Sequence, residues 1–247
     1  MNKRNIRLDI IYDGTKYLGW QRLQNSDKTI QGKIEQVLSR MTNEEIEIIG
    51  SGRTDAGVHG RGQVANFYTF SQKSVENIKE YLNQYLPKDI AITEVTEVGE
   101  RFHSRYNVTK KTYLYRIWTK DFPPVFEDPY TYWYNKPLDI EKMKEASLLL
   151  VGKKDYQSFS NKKTKKSTVR DIKDITIEIT DDELKIYITA DGFLYNMVRI
   201  IVGTLIEVGE GKTKIQSIKD MLEAKERANA GERAPAKGLS LYKVYYD

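Results

Sequence analysis

Apolar and polar residues alternate in "NIRLDIIY", residues 5–12: Ile6, Leu8 and Ile10 share one face, which predicts a strand with one side buried. Two glycines break the pattern in "DGTKYLGWQ". In "TIQGKIEQVLSRM" the spacing turns helical, with Ile30, Ile34, Val37, Leu38 and Met41 on one side and Thr29 placed to cap the N-terminus. "EIEIIG" and "GQVANFYTF" read as strands flanking a glycine-rich stretch, residues 74–86 as a helix stopped by Pro87, and "IAITEVTEV" as a strand. Residues 1–100 thus run β-α-β-β-α-β, the split βαβ arrangement. The remainder has a similar rhythm. "KKTYLYRIW" is a strand, "DIEKMKEASLLLVG" a helix opened by Asp139 and closed by Gly152, and "VRDIKDITIEIT" and "ELKIYITA" are strands joined at Asp181 and Asp182. "FLYNMVRIIVGTLIEVG" is a helix with Asp191 as its cap, a short polar helix follows around 215–226, and "LSLYKVYY" is the last strand. The patterns predict an α+β fold of two RNP-like halves, residues 1–105 and 106–247, with mainly antiparallel sheets flanked by helices and a central active-site cleft.

Composition narrows the class. With 39 % hydrophobic and 30 % charged residues, the 247-residue chain can bury a core and stay soluble. Its longest apolar run is broken by Asn196, Arg199 and Gly203, and its first residues run into a strand pattern, so neither a membrane span nor a signal peptide is expected. The absence of cysteine excludes disulfides, thiolate metal sites and cysteine nucleophiles, and makes the cytoplasm the default location. A net charge of +5 is a mild bias, but its distribution says more. Arg101, Arg105, Lys110, Lys111 and Arg116 interleave with Phe102, Tyr106, Tyr113, Tyr115 and Trp118, and a second basic cluster, Lys162, Lys163, Lys165, Lys166 and Arg170, follows. Cations for phosphates and rings for bases are the ingredients of RNA recognition; a solvated face beside core aromatics is the plainer alternative.

The chemistry centres on "GSGRTDAGVHGRGQ", residues 50–63, where glycines surround a single carboxylate, Asp55. No Gly-Lys-Ser/Thr follows, so it is not a nucleotide P-loop, and it runs into a strand where a dinucleotide fingerprint would open a long helix. The two histidines, His59 and His103, form no ligand cluster, so no metal is expected; no role for His59 beyond the turn emerges. Arg53 lies two residues before Asp55 and points the same way if the segment is extended, which by itself could be a surface ion pair of little worth. The helix near 193–208 is apolar nearly all round, which predicts burial, and Asn196, Arg199 and Gly203 line one stripe of it. A buried guanidinium cannot lose its proton and needs an anionic partner, with Asp55 the candidate across the cleft; the alternative is that Arg199 reaches water at the helix edge. Tyr113 and Tyr115 share a strand face, either to stack on a base or to fill the core.

In order along the chain, "YDGTKYLGWQ", "TIQGKIEQVL", "GSGRTDAGVHGRGQVANF", "LPKDIAI", "RFHSRYNVTKKTYLYRIW", "GFLYNMVRIIVGTLIEVGEGK" and "RAPAKGLSLYKVYYD" resemble the signatures of the TruA family of tRNA pseudouridine synthases. The resemblance implies an isomerase that converts uridine to pseudouridine without cofactor or metal, at about positions 38 to 40 of the tRNA anticodon stem-loop, working as a homodimer. Carried over residue by residue, it makes Asp55 the catalytic carboxylate and Arg53 the arginine that helps expose the target base. Tyr113 becomes the tyrosine that stacks on the uracil, Arg199 the arginine paired with the carboxylate, and Leu239 an apolar wall of the pocket. The glycines would let the backbone approach an extruded nucleotide. Lys110 and Lys111 stand where the family often has arginine, and "NKKTKKSTVRD" does not align closely enough to transfer roles. The rival readings are a tRNA-binding module that has lost catalysis and a metal-dependent hydrolase of RNA.

Overall fold

The computed structural model describes residues 3–162 and 164–247, so Lys163 of the second basic cluster lies outside the described residues. The fold is α+β, and the chain divides into two units. One takes the chain up to Thr109 together with Ser240–Asp247; the other is Lys110–Leu239.

In the first unit β1 (Arg4–Tyr12), α1 (Ile30–Thr42), β2 (Ile49–Gly50), β3 (His59–Thr69), α2 (Val75–Tyr85) and β4 (Ile90–Val98) follow one another in the order the sequence predicts. β1 lies between β4 and β3, antiparallel to both, with Leu8 opposite Val95 on one side and Ala65 on the other. The short β2 pairs with β3. Ile6, Leu8 and Ile10 are wholly buried, as their alternation requires, against the buried stripe Ile30, Ile34, Val37, Leu38 and Met41 of α1. Thr29 caps α1 by accepting the Gly32 N–H, and Ser74 caps α2 by accepting that of Asn77. The strand expected over 45–50 shrinks to Ile49–Gly50 because α1 takes its donors: the Ile46 N–H donates to Ser39 Oγ at 3.0 Å and the Ile48 N–H to Glu35 Oε1 at 3.0 Å. The final strand, β10 (Leu239–Tyr246), runs parallel to β3, with Ser240 opposite His59.

The second unit builds a sheet from β5 (Val108–Trp118), β7 (Gly152–Asp155), β8 (Val169–Ile179) and β9 (Glu183–Ala190), in the order β5-β9-β8-β7 and antiparallel throughout; β6 (Tyr132–Trp133) adds to β5 in parallel. Its helices are α3 (Ile140–Leu148), capped by Asp139, α4 (Met197–Gly209) and α5 (Ser217–Ala224). The turn at Asp181 and Asp182 joins β8 to β9 as expected, with the Thr180 N–H donating to the Glu183 carbonyl at 2.8 Å. α4 begins later than its apolar pattern implies. Asp191 accepts the Asp171 N–H across the strand ends and is not a helix cap; Asn196, in the left-handed region at φ 61°, holds the cap position. Phe193 is left outside the helix, where its ring meets that of Tyr113 edge-on at 5.0 Å.

Candidate active site

The motif loop between β2 and β3 is tied down residue by residue. The Ser51 N–H donates to the Val64 carbonyl at 2.8 Å, and its hydroxyl donates to Gln63 Oε1 at 2.6 Å. The fully buried Gln63 returns a bond from Nε2 to the Gly52 carbonyl at 3.0 Å. Thr54 is held twice, through its hydroxyl to the Tyr12 phenol at 2.8 Å and through its carbonyl, which accepts the Trp20 N–H at 3.0 Å. The Asp55 carbonyl then accepts the Val58 N–H at 3.1 Å, closing a turn in which Gly57 takes φ 75°. These anchors are buried, whereas Asp55 itself is half-buried, so a carboxylate is offered on a stiff mount.

The segment 13–20 packs directly under this loop. A Cβ at Gly14 would stand 2.0 Å from the Val58 carbonyl oxygen, which excludes any larger residue. The motif's own Gly50 and Gly60 lie against the Trp20 and Tyr12 rings, so internal packing is one of their duties. His59, which the sequence left without a role, meets the 13–20 segment: its Nδ1 accepts the Gly14 N–H at 3.1 Å. No sequence signal marks this contact, since it joins two loops 45 residues apart. Arg53 is exposed.

Tyr113, Arg199 and Leu239 belong to the second unit. Tyr113 and Tyr115 alternate on β5, opposite Ile188 and Ile186 of β9. Tyr115 is wholly buried and donates to the Pro235 carbonyl at 2.9 Å. Burial pushes its phenol well above the ordinary tyrosine range, and the Arg199 charge pulls the other way. It is thus a core residue. Tyr113 keeps 8 % of its surface exposed.

Arg199 is buried in α4. Its Nε donates to the Ala234 carbonyl at 2.7 Å, its Nη1 lies 3.4 Å from Asn196 Oδ1, and its own carbonyl accepts the Ala234 N–H at 3.1 Å. Arg199 and Gly203 of the stripe seat the segment 231–235. That segment is fastened further by the Gly231 N–H to Thr204 Oγ1 at 3.0 Å and the Glu232 N–H to Glu207 Oε1 at 2.8 Å. Ala234 holds Arg199, Pro235 holds Tyr115, and the chain then enters Leu239, which is 5 % exposed. Sequence reasoning found the stripe but did not foresee the backbone segment that Arg199 and Gly203 hold. Among the described residues no group of three or more His, Cys, Asp or Glu is arranged to hold a metal ion.

A family model described as tRNA pseudouridine synthase matches residues 10–107 and 146–247. The chain is 54 % identical over 238 residues to a tRNA pseudouridine synthase A of Bacillus sp. (strain KSM-64), covering 96 % of this chain and 97 % of that protein. It is 50 % identical to a tRNA pseudouridine synthase A 2 of Clostridium perfringens (strain 13 / Type A), covering 98 % of this chain and 100 % of that one. Among solved structures, a chain of a Cbf5-Nop10-Gar1 complex covers 81 % of this chain and 45 % of itself at 14 % identity and a TM-score of 0.34, a likeness too low to bear on function. The motifs of both units, matched at this identity over nearly the whole length, place the chain in the TruA family of tRNA pseudouridine synthases, which are isomerases.

Proposed function

We propose that the chain isomerises uridines on the 3′ side of the tRNA anticodon stem-loop, at about positions 38 to 40, with Asp55 as the catalytic carboxylate. The observation that carries the reading is the half-buried Asp55 side chain on a loop anchored at Ser51, Gly52 and Thr54 by side-chain bonds to Gln63 and Tyr12. In the reaction the N1–C1′ bond breaks, the uracil turns, the C5–C1′ bond forms, the C5 proton leaves and N1 ends protonated. Asp55 serves by attacking C1′, by adding to C6 or by taking the C2′ proton, and in each case it must be ionised. Arg199 is the guanidinium proposed to keep it so, and Tyr113 the platform that holds the detached base. Arg53, which is exposed, is suited to the extruded nucleotide, and Leu239 to the apolar wall. The reaction calls for no cofactor or metal. We further propose a cytoplasmic homodimer; among the described residues no helix is long and apolar enough to cross a membrane.

The test uses tRNA tritiated at C5 of uridine. Wild-type protein is expected to release tritium, and Asp55→Ala to release none while binding tRNA with nearly unchanged affinity. Release by Asp55→Ala at the wild-type rate would overturn the assignment. Tight binding with no release by the wild type would favour a binding module.

A further inference from the structure

Tyr106 is 80 % exposed, yet it sits on one of the most firmly anchored turns in the first unit. The segment 99–107 is held from below by buried polar groups. Asn5 Nδ2 donates to the carbonyls of Gly99 at 3.1 Å and Phe102 at 2.8 Å, and the Ser104 N–H donates to Asn66 Oδ1 at 2.9 Å. Asn66 in turn bonds Asn5 at 2.9 Å, the Ser104 hydroxyl bonds the Ile49 carbonyl, and the Tyr246 phenol donates to the Ser104 carbonyl at 2.6 Å. Asn5, Asn66 and Ser104 are all at least 97 % buried, so breaking this network would strand polar groups in the core.

The top of the turn is equally ordered. His103 Nδ1 accepts the N–H groups of Arg105 and Tyr106, each at 3.2 Å, and the His103 N–H donates to Asn107 Oδ1 at 2.6 Å. The Tyr106 ring lies on the His103 imidazole, with centroids 4.1 Å apart and planes inclined by 31°. One face of the tyrosine is therefore backed by a ring, and most of its surface meets solvent. Arg101 and Arg105 are exposed on the same turn, with Glu100 the one acidic residue in 99–107. A rigid aromatic ring that covers only His103, stays mostly open to solvent and is flanked by two guanidiniums matches an unpaired base with its phosphates. A paired base keeps its faces inside the stack and cannot use such a platform. A second protein copy would meet the two arginines as uncompensated charge, which makes it the poorer occupant.

We propose that the His103–Tyr106 pair is a stacking platform for an unpaired nucleobase of the bound tRNA, with Arg101 and Arg105 on its phosphates. The proposal rests on the tRNA reading above and extends it to a residue outside the catalytic motif. Tyr106 positions the RNA and takes no part in bond making.

The test measures tRNA affinity by filter binding, single-turnover tritium release at saturating enzyme, thermal midpoint and mass by light scattering, for wild type, Tyr106→Phe and Tyr106→Ala. Tyr85→Ala, which removes another half-exposed ring stacked on a neighbour, is the control. Tyr106→Ala is expected to weaken tRNA binding about tenfold with an unchanged midpoint and an unchanged rate at saturation, while Tyr106→Phe and Tyr85→Ala stay near wild type. Unchanged affinity in Tyr106→Ala would overturn the platform. So would an equal loss in Tyr106→Phe, which would point to the hydroxyl, or a changed mass with affinity intact, which would make this face a protein interface. The two readings fail separately: absent tritium release by the wild type strikes isomerisation, whereas the platform is read from affinity.

Discussion

Replacing Gly203 by alanine sets two physical effects against each other. Gly203 lies inside α4, where alanine should stabilise an isolated helix by about 1 kcal/mol. Here, however, a Cβ would stand 1.7 Å from the Glu232 carbonyl oxygen and 2.8 Å from its carbon, where real contacts essentially never fall below 3.0 Å. The opposing atoms are backbone and cannot swing aside as a side chain would. The segment 231–235 must move off the helix, taking with it the four hydrogen bonds that join Gly231, Glu232 and Ala234 to Thr204, Glu207 and Arg199. Overpacking of this kind costs about 1–3 kcal/mol, each neutral bond lost about 1 kcal/mol, and the two bonds made by the Arg199 guanidinium and the Glu207 carboxylate at least that much each. Even with half the bonds recovered and the helical gain credited, the variant should be less stable by about 3 kcal/mol. For a chain of this size that lowers the Tm by roughly 6–12 °C. Arg199 would lose its Ala234 tether, so tritium release should fall as well. Calorimetry of Gly203→Ala beside Gly99→Ala decides the matter, because a Cβ at Gly99 meets nothing within 4 Å and should change stability by less than about 0.5 kcal/mol. A Gly203→Ala midpoint equal to or above the wild type would refute the packing argument and show that helix propensity governs this position.

Tyr113→Phe should keep tRNA affinity and slow single-turnover release, since the ring remains and the hydroxyl is lost; an unchanged rate would remove any part for the hydroxyl. Glu35 gives a pH dependence. Burial pushes its carboxyl above the ordinary range, against the bonds from Ile48 and Gln31 and the Arg22 charge. An acid that holds its proton more tightly when folded contributes stability at pH below its unfolded pKa, and loses that contribution as pH rises through its folded pKa. The wild type should therefore gain Tm relative to Glu35→Gln as pH falls from 7 towards the usual carboxylate range, and a pH-independent difference between the two would contradict this.

Local patterns were enough for much of the architecture. The alternation of Ile6, Leu8 and Ile10, the stripe of α1, the caps Thr29 and Asp139 and the turn at Asp181 and Asp182 all depend on neighbours a few residues away, so the chain states them directly. The motif around Asp55 was legible for the same reason: its residues are contiguous. What the chain order concealed are contacts closed over long distances. β2 shrank because Ser39 and Glu35 on α1 claim its donors, and α4 starts at Met197 because Asp191 is engaged by Asp171. His59 acquires a purpose only when Gly14 folds beneath it, and the polar stripe of α4 only when Ala234 and Glu232 settle on it. Periodicity reports which face of an element is apolar, but an unpaired donor or a missing Cβ is assigned its partner only by the packed tertiary structure.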